Sequence, residues 1–375
     1  MAGVYVHIPF CLKICGYCDF YRVAGTELVP AYIDSLLAEM EMRSDYLQGE
    51  AVDTIYFGGG TPSVLSLSDT ERIVQKINAL YKISPDAEIT VEVNPDDLDL
   101  NLLRGLKSVS FNRLSIGIQS WSDSYLKMLN RRHDAAKAEK AITDALAAGF
   151  DNLSVDLIYG LPGMSTGEWE KSLEKTFQYG IKHLSAYHLS VEKGTPFYKM
   201  VKAGLMTEID EEESNNQFLA LVSSARRNDF IHYEISNFCR EGFYSRHNTS
   251  YWRQVPYVGF GPSAHSFNGY SRQWNVSNLK KYISAIKKGE LLYESEEIDF
   301  RKRFNEYIMT SLRTMWGIDL EYVERNFEKE GLDYITNLAS RFVTYGMMRQ
   351  EKNSLILTDQ GVMTSDNIIS GFMMT

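Results

Sequence analysis

The chain predicts an α/β fold: a partial parallel (β/α)6-type barrel carrying a small helical, winged-helix-like C-terminal domain. Three observations lead there. Short apolar or β-branched runs alternate with longer amphipathic stretches six times between residues 4 and 189, the signature of parallel βαβ units. The chemically unusual residues fall just after those runs, where a barrel of this kind gathers its chemistry. Beyond residue 299, helical periodicity gives way to a strand–turn–strand. A length of 375 residues suits several domains. The expected division is a barrel over 1–230, an aromatic-rich extension over 231–298 and the C-terminal domain over 299–375.

The first strand covers residues 4–7 and is ended by Pro9. A helix over 29–46 puts Tyr32, Leu36, Leu37 and Met40 on one side. Residues 54–57 form the second strand and run into Gly58-Gly59-Gly60-Thr61-Pro62. Ser68 and Glu71 predict a capping box for a helix reaching residue 81. The third strand, 89–93, stops at Asn94-Pro95 and is followed by a helix over 100–108. The fourth, 113–119, precedes helical stretches at 123–129 and 135–148. The fifth, 152–158, closes on Tyr159-Gly160-Leu161-Pro162-Gly163; a helix over 167–179 leads to the sixth at 183–189. After another helix at 211–228, residues 233–270 read as loops and short strands. Helices at 301–315, 320–326 and 334–345 precede the strand–turn–strand at 348–357 and a last helix at 366–373.

A composition of 44% hydrophobic and 23% charged residues fits a globular chain with a sizeable core. The net charge of −10 argues against an extended nucleic-acid surface or an anionic-membrane anchor, and no basic cluster marks a recognition helix in the C-terminal module. No apolar run approaches the ~20 residues of a membrane span, and the start lacks a signal-peptide pattern. Four cysteines, three of them packed together, are not a disulfide framework. Thiols that must stay reduced predict a cytoplasmic location.

Those three, Cys11, Cys15 and Cys18, form C-x3-C-x2-C on the loop after the first strand. Soft thiolates suit zinc or an iron–sulfur cluster. Structural zinc wants a fourth protein ligand, for which Asp19 or His7 is at hand; three free thiols are the plain alternative. On a four-iron cluster, three cysteines leave one iron open to the amine and carboxylate of a small molecule. Gly58 to Gly60 suit close backbone approach to a ligand, and equally an ordinary turn. Glu92 and Asp156 are carboxylates in apolar strands, where charges are rarely buried unpaired. Each either faces a polar site at the barrel mouth or pairs with Arg113 or Arg131. Gln119 ends the fourth strand and Ser190 follows the sixth. If residues 247–252 are helical, His247 and Tyr251 share a face. Histidine is a common haem ligand and Tyr251 and Trp252 offer flat surfaces to a porphyrin, although a hydrogen-bonded structural histidine is the plainer reading. His265 reads as structural and Cys239 as a buried thiol.

Assembled, these residues resemble the oxygen-independent coproporphyrinogen III oxidase family of radical S-adenosylmethionine (SAM) proteins. The resemblance rests on Tyr5-Val6-His7-Ile8-Pro9-Phe10-Cys11 through Asp19-Phe20, Gly58 to Pro62, Gly117-Ile118-Gln119-Ser120 and Asp156-Leu157-Ile158-Tyr159-Gly160-Leu161-Pro162. Two features resemble its haem-chaperone, HemW-type branch. The true oxidases carry another cysteine two residues after the third cluster cysteine, where this chain has Phe20. The branch motif H-N-x-x-Y-W matches His247, Asn248, Tyr251 and Trp252.

The resemblance implies a [4Fe–4S] cluster on Cys11, Cys15 and Cys18, with SAM chelated at the open iron and contacted by Tyr5, Gly59, Gly60, Thr61 and Glu92. Positions matching a second SAM site of the oxidases are Tyr17, Gln119, Arg131, Asp156 and, more loosely, Ser190. His247, Asn248, Tyr251 and Trp252 become haem-site residues. The implied function is a chaperone that binds haem as cargo and passes it to an acceptor protein, the cluster and exchangeable SAM regulating assembly or transfer. No catalytic residue is assigned. Two alternatives stand beside it: a radical SAM oxidase that decarboxylates coproporphyrinogen III, against which Phe20 argues, and a radical enzyme that modifies the haem ring. Either would need an electron donor to cleave SAM. A cluster-dependent homodimer is compatible with the branch.

Overall fold

The computed structural model describes residues 1–374. Its centre holds the expected strands in chain order: β1 (Ala2–Ile8), β2 (Val52–Gly59), β3 (Ile83–Val93), β4 (Arg113–Gln119), β5 (Asn152–Tyr159) and β6 (His183–His188). Each pairs in parallel with the next. Parallel strands covered on both faces read as continuous apolar runs, and Val4, Val6, Ile55, Leu114, Ile116, Leu153 and Val155 are fully buried. Helices at Val29–Met42, Leu67–Leu80, Leu100–Ser108, Ala135–Ala147 and Thr166–Gln178 make the crossovers.

The barrel is open, and both edges are extended into a 12-stranded sheet. At the β6 edge lie β7 (Ile231–Glu234) and β8 (Asn237–Cys239), with β8 antiparallel to β6 and β7 outermost. At the β1 edge lies β9 (Tyr257–Phe260), which is parallel to β1. It is followed by β10 (His265–Phe267), β11 (Ser271–Asn275) and β12 (Tyr293–Glu297), all antiparallel. A seventh parallel strand was not expected. It lies where residues 233–270 read only as loops and short strands, because a four-residue strand is too short to display a period. The same segment also holds the helix Arg246–Trp252.

Local differences have local causes. The helix expected to cap at Ser68 and Glu71 instead starts at Leu67. Ser66, in extended backbone, accepts from the Asp69 amide at 3.1 Å, which places Ser68 and Glu71 inside the helix. The helix expected to reach residue 46 ends at Met42, where Arg43 turns its guanidinium inward to Asn275 at 2.9 Å.

Beyond Asp299 a second apolar core forms around Phe304, Ile308, Val323, Ile335, Leu355 and Phe372. Helices Phe300–Leu312 and Leu320–Thr344 pack on β13 (Ile318–Asp319), β14 (Met348–Glu351) and β15 (Ser354–Leu357), the arrangement of a winged helix. Two helices lie here as expected, the first ending at a kink where Phe327 and Glu328 leave helical geometry, Glu328 with φ 59°; the second then runs on to Thr344. This C-terminal part is tied to the rest of the chain by Arg226, which donates to Asp359 at 2.7 and 2.9 Å, and by the Ile235 amide on the Arg313 carbonyl at 3.1 Å.

Candidate functional site

β1 delivers the cysteine loop to the C-terminal rim of the barrel. The loop is closed where Phe10–Cys11 pairs in parallel with Val23–Ala24. It is held to the rim by Asn130, which donates to the Ile14 carbonyl at 2.7 Å, and by the Gly16 amide on the Leu129 carbonyl at 3.2 Å. Arg131 donates to Cys15 Sγ at 3.4 Å, and Cys11 Sγ shares a hydrogen bond with Thr61 Oγ1 at 3.5 Å. Burial pushes the Cys11 thiol up and the Cys18 thiol to about 11, so both want a cationic partner before they ionise. His7 is not available as a fourth zinc ligand. Its Nδ1 meets Tyr5 OH at 3.0 Å and its Nε2 meets the Tyr21 carbonyl at 2.9 Å. Asp19 is exposed to solvent. Three soft thiols and a neighbouring arginine, with no fourth protein donor among the described residues, fit a cluster that keeps one iron open.

The end of β2 lies against this loop. The Gly60 amide donates to the Ile8 carbonyl at 2.7 Å, and a Cβ there would sit 2.7 Å from the Phe10 carbonyl oxygen and 2.9 Å from that of Ile8. Both neighbours are backbone, so the loop itself would have to move. Gly60→Ala is expected to destabilise the protein by about 1–3 kcal/mol and to lower cluster occupancy, read by chemical unfolding and iron analysis.

Glu92 accepts from Tyr56 OH at 2.7 Å and from the Gly59 amide at 3.2 Å, and burial raises its pKa to about 7. Asp156 accepts from Ser115 Oγ at 3.0 Å and is likewise raised by burial. Among the described residues neither makes an ion pair with Arg113 or Arg131, the alternative open to them in the sequence. Arg131 turns to Asn94 Oδ1 at 2.9 Å and the Gly117 carbonyl at 2.6 Å. Arg113 lies 4.0 Å from Glu88.

Gly60, Thr61, Glu92, Gln119, Arg131 and Asp156 line a small polar cleft of about 100 Å³ beside the thiols. Gln119 holds a left-handed conformation, φ 68°, as the strand ends. Four residues expected near SAM do not line this cleft. Gly59 turns its amide to Glu92. Tyr17 packs on Phe197 beside the cysteine loop. Ser190 is exposed. Tyr5 points into a different and larger space.

That space is a cavity of about 670 Å³ whose wall includes Tyr5, Tyr56, His247, Asn248, Tyr251 and Trp252. Phe20 reaches it from the cysteine loop, and Glu92 lines both spaces. As helical spacing predicts, His247 and Tyr251 share a face: His247 Nε2 meets Tyr251 OH at 2.8 Å, while Nδ1 meets Thr54 Oγ1 at 2.8 Å. The His247 ring stacks on Tyr56 with centroids 5.0 Å apart. Burial, helped by the charge of Arg113, lowers its pKa to about 3 and keeps it neutral. The Trp252 indole Nε1 is buried with no protein partner among the described residues.

Sequence reasoning missed the residue that seats this helix. Glu88 accepts from the amides of Arg246 and His247, each at 3.1 Å, at the positive end of the helix. Glu88 is a carboxylate in an apolar strand, the same signal that singled out Glu92. Thr54 carried no signal, since threonine is ordinary in a strand.

Residues 5–176 match the model of the radical SAM superfamily. A haem chaperone HemW of Bacillus subtilis is 31% identical, with 100% of this chain and 99% of that protein covered. One of Lactococcus lactis is 32% identical, with 99% and 97% covered. Among solved structures, the Escherichia coli coproporphyrinogen III oxidase HemN, described as a radical SAM enzyme, superposes with a TM-score of 0.86. That match covers 99% of this chain and 89% of that one at 22% identity, a likeness of fold. With full-length relatives of this similarity and a radical SAM domain at its N-terminal side, the chain belongs to the HemW family of radical SAM proteins.

Proposed function

We propose that the protein binds haem in the large cavity and hands it to an acceptor protein, while carrying a [4Fe–4S] cluster with exchangeable SAM next to it. The observation that carries this reading is the cavity of about 670 Å³. Its size suits a drug-sized or larger planar ligand, its wall is rich in tyrosine, and Phe20 extends that wall from the cysteine loop. The relatives named above are haem chaperones, which supports the same reading.

The radical SAM superfamily implies the cluster and SAM. Cys11, Cys15 and Cys18 are the residues to hold the cluster, which when bound supplies one-electron chemistry and a chelation point for SAM. Arg131 donates to Cys15 Sγ, and the Thr61 hydroxyl orients Cys11. Gly60 keeps the loop close, while Glu92, Gln119 and Asp156 offer acceptors in the adjoining cleft. Phe20, 67% exposed at the junction of loop and cavity, places an apolar ring where the oxidases of the resemblance have a thiol.

An anaerobic titration of cluster-loaded protein with ferrous and ferric haem tests this, followed by Soret absorbance and by transfer to a haem-free globin. Saturable, stoichiometric binding and transfer of unaltered haem are expected. Absence of saturable binding refutes the carrier reading. Recovery of a chemically altered tetrapyrrole after incubation with reductant and SAM would make haem a substrate instead.

A further inference from the structure

Three histidines line the large cavity, and they differ in what their rings already do. His7 has both nitrogens in hydrogen bonds, to Tyr5 and to the Tyr21 carbonyl. His247 has both engaged as well, by Thr54 and Tyr251. His265 is exposed and makes no ring hydrogen bond to any described residue. It opens β10, where its backbone pairs with Trp274 of β11, and its ring lies on the Trp274 indole at 6.0 Å and 27°. The sheet thus fixes the backbone, the indole orients the ring, and the face toward the cavity is open.

On the haem-binding reading above, we propose that His265, and not His247, ligates the iron of haem in this cavity. An iron ligand must present the lone pair of a neutral imidazole nitrogen. For His247 to do so, it would have to give up its hydrogen bond to the half-buried Tyr251 or to the buried Thr54 hydroxyl, an unfavourable exchange. His265 gives up nothing but solvent. His247 then acts as a wall residue that holds the Tyr56, Tyr251 and Thr54 side of the cavity together. Tyr257 and Phe267 flank His265 with aromatic surface, and Arg272 lines the same side, donating to Glu306 at 2.9 and 3.2 Å.

The test uses the full-length, cluster-loaded protein and ferric haem, with Soret absorbance and electron paramagnetic resonance as readouts of iron ligation. Wild type, His265→Ala, His265→Gly and His247→Ala are compared, and cluster absorbance checks that each is folded. His265→Ala is expected to lose the histidine-ligated signature and to bind haem at least about tenfold more weakly. Free imidazole is expected to restore the signature in His265→Gly. His247→Ala is expected to keep histidine ligation even if its affinity falls. A His265→Ala protein with the wild-type signature overturns the assignment while leaving haem carriage standing, and so does loss of ligation in His247→Ala alone. A wild type that binds no haem overturns both.

Discussion

Glu88→Ala is expected to destabilise the protein by about 3–5 kcal/mol, the effect of leaving a buried charge without its partner, and to abolish saturable haem binding. Glu88 is 5% exposed and the arginine beside it, Arg113, is 1% exposed. Their separation of 4.0 Å makes the pair weak as a contact, yet among the described residues Arg113 has no other carboxylate in an ion pair and its Nε lacks a hydrogen-bond acceptor. Removing Glu88 therefore leaves a guanidinium in the core without its ion pair, with only the longer-range charges of Glu92 and Asp156 to offset it. It also frees the amides of Arg246 and His247, which begin the helix carrying Asn248, Tyr251 and Trp252. Helix ends buried without acceptors fray, so the cavity wall should loosen beyond what the global loss explains. Urea unfolding gives the first effect and haem titration below the transition gives the second. Glu88→Gln keeps acceptor oxygen for one amide and should lie between. An alanine variant as stable as wild type would show that Glu88 is not what seats the helix.

Substituting any one of Cys11, Cys15 or Cys18 by alanine should remove nearly all cluster iron and sulfide, with little change in fold. The loop is held by backbone and neighbouring side chains, through Gly16, Ile14 and the Cys11–Ala24 pairing, none of which needs a thiol. Cys239→Ala is the control. That thiol is fully buried on β8, and burial pushes its pKa to about 12, so it is a packed side chain rather than a ligand. Iron and acid-labile sulfide analysis after anaerobic reconstitution decides the matter. A single variant of the three that keeps a full cluster would sink the assignment of that cysteine. Loss of the cluster in Cys239→Ala would show that the C-x3-C-x2-C loop is not sufficient.

Much of the fold was legible because its signals are short-range. A strand's apolar run, a helix's period and the position of Pro9 or Gly58 each depend on a few adjacent residues, and the central strands of the sheet carried all of these. So did the thiols, because Cys11, Cys15 and Cys18 lie on one loop. The extension of the sheet at β9 was hidden, since four residues show no period and the decision to pair with β1 is made by strand-to-strand contact. The gap between the two C-terminal helices was legible too, and the structure places it at the kink of Phe327 and Glu328.

The site divides along the same line. Sequence by itself determined which chemistry is present: three soft thiols beside a glycine turn, carboxylates at strand ends, and a histidine–tyrosine pair at helical spacing. Tertiary structure alone decided who faces whom. Thr54 and His247 are 193 positions apart in sequence and meet at 2.8 Å; Glu88 reaches the same helix across 159. Tyr5 is drawn away from the small cleft by stacking on Tyr56 and His247, an attraction that exists only once β1, β2 and the helix Arg246–Trp252 are side by side. Whether an imidazole is committed or open depends on the partners that folding brings to it. That is why His247 is conspicuous in sequence yet closed in structure, while His265, inconspicuous in sequence, stands open to the cavity.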